Sequence, residues 1–69
     1  MTQEQTAAVS SVMNARTFSK GDIRTALIRA STPIEEANAV MEQLVTDALI
    51  AKTIRPLAGF TDKYVKVRS

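Results

Sequence analysis

The chain has 69 residues, the length of one small domain. A chain of this size buries only roughly 60% of its unfolded surface, so its core must be compact. It contains no Cys and no His, which excludes disulfides and thiolate sites and removes the commonest metal ligand and general base. We therefore expect a single domain over residues 1–69 in a reducing compartment, the cytoplasm. We expect it to have no catalytic site, metal or cofactor.

No stretch of the sequence resembles a signal peptide, and no apolar run approaches the ~20 residues of a membrane span. We therefore expect no membrane partner. The formal net charge is only +2, so the distribution of charge along the chain is more informative about partners than its total.

The first helix is predicted over residues 2–16. Thr2 can cap it, and Gln5, three residues later, can complete a capping box. Its narrow apolar stripe comprises Ala8, Val9, Val12 and Met13.

A short extended piece at residues 17–19 precedes the second helix, which is predicted over residues 20–30. Ser19 provides the cap and Asp22 occupies the third helical position. The apolar face of this helix comprises Ile23, Ala26, Leu27 and Ala30, with Ile28 lying off that face.

The third helix is predicted within the stretch 31–50, with the helical period changing from Leu49, and its start carries the sharpest local signal. Thr32 and Glu35 have capping-box spacing, and Pro33 lies at the first helical position, where its fixed φ suits a helix. The apolar stripe is Ile34, Ala37, Val40, Met41, Leu44, Val45 and Ala48, and the opposite face is acidic and polar, with Glu35, Glu36, Glu42, Gln43, Thr46 and Asp47. The short connection between two amphipathic helices is typical of a helix-turn-helix.

The C-terminal region is predicted to be a two-stranded antiparallel hairpin. Residues 50–55 are predicted to form a short strand, because they include the β-branched Ile50, Thr53 and Ile54, and Pro56 ends it. Residues 57–62 are predicted to form a loop around Gly59, and apolar and polar residues alternate over residues 63–68. The alternation predicts Val65 and Val67 on one face and Tyr64, Lys66 and Arg68 on the other.

The predicted core combines residues from all of these elements. It comprises Val9, Val12, Met13, Phe18, Ile23, Leu27, Ile34, Ala37, Met41, Leu44, Ile50 and either Val65 or Val67.

The order helix, extended piece, helix, tight turn, helix, hairpin resembles the winged helix-turn-helix superfamily over nearly the whole chain. The motifs that carry the resemblance are F-S-K-G-D-I-R-T-A-L, T-P-I-E-E-A-N-A-V-M-E-Q-L-V-T-D-A-L-I and the strand-loop-strand tail. The segment F-S-K-G-D-I also resembles the terminal winged domains of phage and plasmid replication proteins and of small regulators. The resemblance implies a mainly α (α+β) fold of three helices with a C-terminal hairpin wing. It also implies binding to duplex DNA in transcription regulation or DNA replication.

In that superfamily the third helix enters the major groove and the wing contacts the backbone. Carried over to this chain, the groove-facing positions are Glu35, Glu36, Asn38, Ala39, Glu42 and Gln43, of which Asn38 and Gln43 are candidates for pairing with adenine. No Lys or Arg lies between Pro33 and Ala51, so groove entry would bring carboxylates towards phosphates without a local cation. We therefore expect mainly backbone contacts from residues outside this helix: Lys20, Arg24, Lys52, Arg55, Lys63, Lys66 and Arg68, with Tyr64 among the hairpin charges.

Two alternatives remain open. The lysines of the hairpin can simply protect an exposed edge strand and pair with the acidic helix. Alternatively, the acidic third helix beside the basic wing binds a protein, either a separate partner or the rest of a larger parent chain. Exposure of Ile28, Leu57 or Phe60 would support the protein partner, although we expect Phe60 to fold back onto the core.

Overall fold

The computed structural model describes residues 1–67 and contains three helices and a three-stranded antiparallel sheet. The elements in chain order are α1 (Gln3–Met13), β1 (Thr17–Ser19), α2 (Lys20–Arg29), α3 (Ile34–Ile50), β2 (Ile54–Pro56) and β3 (Lys63–Lys66). The fold is therefore mixed α+β, as predicted. In the described range, no helix is both long enough and apolar enough to cross a membrane.

Helices α1 and α2 begin with the predicted capping boxes. The Thr2 hydroxyl accepts a hydrogen bond from the Gln5 backbone N–H at 3.2 Å, and the Gln5 side chain accepts one from the Thr2 N–H at 2.8 Å. Ser19 and Asp22 form the same reciprocal pair at 3.2 and 2.9 Å. Both pairs satisfy backbone donors that a helix start leaves without partners. Helix α1 ends at Met13, before the predicted end at residue 16.

The predicted N-terminal cap of the third helix is wrong. Pro33, not Thr32, occupies the capping position, and no side chain caps the helix. Thr32 is buried, and its hydroxyl accepts a hydrogen bond from Gln5 Nε2 at 2.7 Å. Thr32 therefore ties the α2–α3 turn to α1, and the box with Glu35 does not form.

The cause lies in the way α2 ends. Ser31 has a left-handed φ of 65°, and its N–H donates to the Ile28 carbonyl at 3.0 Å. The Thr32 N–H donates to the Leu27 carbonyl, also at 3.0 Å. These two bonds form a Schellman motif. Because Thr32 completes the end of α2, it is not available to begin α3.

The sheet contains one strand more than the predicted hairpin. Strands β2 and β3 pair antiparallel as expected, but β1 also pairs with β3, so the strand order is β1-β3-β2. Phe18, Tyr64 and Pro56 lie in register across the three strands. Strand β3, the central strand of the sheet, therefore joins the C-terminal hairpin to β1 in the N-terminal half of the chain.

The core lies between the three helices and the inner face of this sheet. Its buried apolar residues are Val9, Phe18, Ile23, Leu27, Ala37, Met41, Val45, Ala48, Ile54 and Tyr64, with Val12, Met13 and Leu44 partly buried against them. The rings of Phe18 and Tyr64 stack with their centroids 6.0 Å apart. Of the two valine candidates, Val65 is half-buried and Val67 is exposed.

Two predicted core residues are wrong: Ile34 is 63% exposed and Ile50 is 75% exposed. Ile34 is the first residue of α3 and precedes the first buried position, Ala37, so it lies beyond the packed part of the helix. Ile50 belongs to the end of α3 and not to a strand. At 100° per residue it lies about 200° around the helix from buried Ala48, and therefore faces solvent.

Candidate nucleic-acid interface

The outer face of the sheet carries two of the predicted phosphate-binding residues. Arg55 pairs with Val65 across the β2–β3 ladder, and residues opposite one another in an antiparallel pair share a face. Lys63 lies two residues from Val65 and therefore shares this face, which is the one opposite Tyr64. Both cations are exposed. Arg55 and Lys63 are diagonal neighbours on the two strands, and the Cα atoms of such neighbours are roughly 7–8 Å apart. The fold thus brings together Arg55 and Lys63, which are well separated in sequence.

The hairpin loop presents an aromatic side chain at its tip. The Phe60 N–H donates to the Leu57 carbonyl at 3.2 Å, and Gly59 supplies the positive φ of 85° in this turn. Phe60 is 56% exposed, so the expectation that it folds back onto the core is wrong: the tight turn directs it outward. The Lys63 ammonium lies 5.3 Å from the centre of its ring, a favourable cation–π distance.

Lys52 and Lys66 flank the hairpin at its open end, and both are exposed. Lys52 has a left-handed φ of 59° at the end of α3, and the Thr53 N–H donates to the Ala48 carbonyl at 3.0 Å. This is a second Schellman motif, with Lys in the position that glycine usually fills. Lys66 Nζ donates to the Asn14 side-chain oxygen at 3.0 Å, which places it beside the end of α1.

Among the cations predicted to contact DNA, Lys20 has a carboxylate partner within residues 1–67. Its Nζ lies 3.2 Å from Glu42 Oε2, so the start of α2 is linked to α3. The hydrogen bond that Lys20 donates to Glu42, and then the attraction of the Glu42 charge, raise the pKa of Lys20 above its ordinary value of 10.5. Across residues 1–67 this is the one ion pair. Four exposed cations in and beside the hairpin, here called the hairpin cations, have no carboxylate partner within that range: Lys52, Arg55, Lys63 and Lys66.

The remaining predicted site residues are dispersed. Arg24 is exposed on α2. Asn38 is half-buried, and the Gln43 side-chain amide donates to Asp47 Oδ1 at 2.7 Å. Arg68 lies outside the described residues.

The prediction that Tyr64 lies among the surface charges of the hairpin is wrong. Tyr64 is only 9% exposed and packs on Phe18. The alternation in β3 is real, but its inward face is the one with Tyr64. Strand β3 lies between β1 and β2, and Tyr64 lies opposite Phe18 of β1, so that the two rings stack.

The exposed face of α3 remains acidic in the folded domain. Glu35, Glu36, Glu42 and Asp47 are all exposed, and the helix contains no Lys or Arg. Only Glu42 is paired with a cation in the described chain. This face is therefore opposite in charge to the hairpin.

Sequence reasoning missed two contacts that shape this surface. The pairing of β1 with β3 was signalled only by the strand-favouring Thr17 and Phe18, in a segment too short to indicate a partner. The contact of Lys66 with Asn14 joins residues 52 positions apart, and no local pattern indicates it.

The described residues contain no group of His, Cys, Asp and Glu side chains arranged to hold a metal ion. Comparison of the chain with protein-family models, with curated proteins and with solved structures gave no match.

Proposed function

We propose that this chain is a winged helix-turn-helix domain that binds the backbone of duplex DNA through its basic hairpin, in transcription regulation or DNA replication. One observation carries the proposal. Four exposed cations surround the hairpin, and within residues 1–67 none of them is paired with a carboxylate: Lys52, Arg55, Lys63 and Lys66.

The element order supports the winged-helix part of the proposal. A strand precedes α2, a tight turn joins α2 to α3, and an antiparallel hairpin follows α3. This is the order on which the sequence resemblance rests.

The charge arrangement supports backbone contact in preference to base readout. A cation already held by a carboxylate must break that contact to bind a phosphate, whereas a hairpin cation need not. Each phosphate that is neutralised releases condensed counterions, which favours binding at low salt. Phosphate contacts fix the position of a protein on DNA but carry no direct sequence information. We therefore propose binding with little discrimination between sequences.

The acidic face of α3 argues against deep entry of this helix into the major groove. Its carboxylates would approach phosphates, and like charges in close contact are costly. The hairpin, with Arg55 and Lys63 on its outer face, therefore makes the main contact in this proposal.

A titration of a labelled DNA duplex, followed by fluorescence anisotropy at several salt concentrations, tests the proposal. Four phosphate contacts at about 0.9 each predict a slope of log K against log salt of roughly −3 to −4. The absence of salt-dependent binding at ~100 μM protein in low salt would contradict it, because non-specific DNA binding is usually detectable in that range.

A second candidate function is binding of a basic protein segment to α3. The observation that favours it is the exposure of apolar side chains: Ile28 and Phe60, named above as support for a protein partner, are 40% and 56% exposed, and Ile50 at the end of α3 is 75% exposed. In that case α3 substitutions such as Glu36→Gln would weaken partner binding, whereas hairpin substitutions would not.

A further inference from the structure

An open groove of about 360 Å³ lies between the end of α1, strand β1 and helix α2. Val12 and Phe18 contribute apolar lining, and Asp22 and Arg29 lie near opposite ends of the α2 wall. Neither the hairpin cations nor the acidic face of α3 takes part in it. The groove is therefore separate from the proposed DNA-binding surface.

The α2 wall of the groove has an ordered pattern. Asp22, Thr25, Ala26 and Arg29 all line it, and their spacing of three, four and seven residues places them along one side of a helix. We call these four residues the α2 stripe. The two central residues, Thr25 and Ala26, have small side chains. The two end residues, Asp22 and Arg29, carry opposite charges and lie about 10 Å apart along the helix axis, at 1.5 Å per residue.

The charged ends of the stripe are available for an outside contact. Asp22 Oδ2 accepts from the Ser19 N–H at 2.9 Å within the capping box, and a carboxylate can accept further hydrogen bonds through its other oxygen. Within residues 1–67 neither Asp22 nor Arg29 forms an ion pair, and both side chains are exposed.

We propose that this groove is a homodimer interface, in which the α2 stripe of a second copy lies antiparallel to that of the first. In a two-fold interface, if residue i contacts residue j, then j also contacts i. Antiparallel α2 helices place Asp22 of each copy beside Arg29 of the other, so the same ion pair forms twice. Thr25 and Ala26 lie at the crossing point, where small side chains let two helices approach closely.

The choice of a second copy as the occupant rests on charge complementarity. The order acidic, small, small, basic becomes its own complement when the helix direction is reversed. The stripe therefore matches itself without any other protein. The inference goes beyond DNA binding and does not depend on it.

Sedimentation velocity of the full chain up to ~1 mM protein, a range that detects millimolar affinities, provides the test. The parent is expected to show a concentration-dependent monomer–dimer equilibrium. Asp22→Arg and Arg29→Asp each place like charges together twice, and each should weaken dimerisation at least about tenfold, because like charges across an interface are strongly unfavourable.

Two combinations restore the pairing and separate it from folding effects. The double variant Asp22→Arg/Arg29→Asp should dimerise like the parent. It has lost the Asp22 capping carboxylate, as the single Asp22→Arg variant has, so a difference between the two in dimerisation is not due to the lost cap. An equal mixture of the two single variants should form a heterodimer. Far-UV circular dichroism checks that each variant is folded.

A parent that is monomeric at ~1 mM overturns the proposal, since such an interface would be weaker than millimolar. Single variants that dimerise as well as the parent also overturn it, as does failure of both the double variant and the mixture to recover the dimer. Dimerisation is measured without DNA, so its outcome is independent of the DNA titration.

Discussion

Helix α3 and the β2–β3 hairpin follow one another in the chain and bury one side each against the same core, but their exposed sides differ. The exposed side of α3 carries Glu35, Glu36, Glu42 and Asp47, whereas the hairpin region exposes Lys52, Arg55, Lys63 and Lys66. A net charge of +2 therefore conceals two regions of opposite sign.

The difference between the two regions is also one of pairing. Glu42 of α3 holds Lys20 of α2 at 3.2 Å, and across residues 1–67 no ion pair links α3 to the hairpin. The two charged surfaces thus do not neutralise one another. Neighbouring regions with the same role in the core can therefore have different roles at the surface.

The largest expected effect tests whether the hairpin packs into the core through Tyr64, while its loop residue Phe60 does not. Tyr64→Ala should destabilise the domain by about 3–5 kcal/mol, the usual range for truncating a buried aromatic. Phe60→Ala removes a ring that is 56% exposed and should change stability by less than about 0.5 kcal/mol. Urea denaturation measures both, and equal effects would show that Tyr64 is not packed on Phe18.

A smaller effect concerns the turn that leads into α3. Thr32→Val removes the buried hydroxyl that accepts from Gln5 at 2.7 Å, and should cost about 1 kcal/mol. In a Gln5→Ala background the same substitution should cost less, because its partner is already absent. An equal cost in both backgrounds would show that Thr32 does not act through Gln5.

The smallest effect lies at the junction between the two regions. Lys52 adopts a left-handed φ of 59°, so Lys52→Gly should stabilise the domain by about 1 kcal/mol or somewhat less. It also removes a hairpin cation, and should therefore reduce the DNA salt slope by about 0.9. Urea denaturation and the anisotropy titration measure these two effects, and a loss of stability would contradict the left-handed conformation.

The parts of the fold that could be predicted are those with local causes. The capping boxes of Thr2 with Gln5 and of Ser19 with Asp22 join residues three positions apart, so the sequence pattern contains both partners. Thr32 has the same pattern with Glu35, but its actual partner is Gln5, 27 residues away. A tertiary contact overrode a local preference there.

The orientation of β3 shows the same limit. Its alternation predicts two faces, but a four-residue strand does not indicate which face is buried. The choice depended on β1, which brings Phe18 opposite Tyr64. Tyr64 therefore entered the core while the neighbouring lysines stayed at the surface.

In the candidate site, the types and approximate positions of the cations followed from the sequence, but their pairing did not. Lys20 and Glu42 are 22 residues apart, and whether they meet depends on how α2 packs on α3. The ion pair with Glu42 distinguishes Lys20 from the hairpin cations, and composition alone does not provide that distinction.

The central claim is that the outer face of the hairpin, and not α3, contacts DNA. The most direct measurement compares Arg55→Glu/Lys63→Glu with Glu35→Gln/Glu36→Gln, using anisotropy titrations on two unrelated duplexes over a range of salt concentrations. The hairpin variant should bind both duplexes at least about tenfold more weakly, with a salt slope flatter by about 1.8 for two lost phosphate contacts. The α3 variant should bind as well as the parent or more tightly. Unchanged binding by the hairpin variant, or loss of binding by the α3 variant, would contradict the claim.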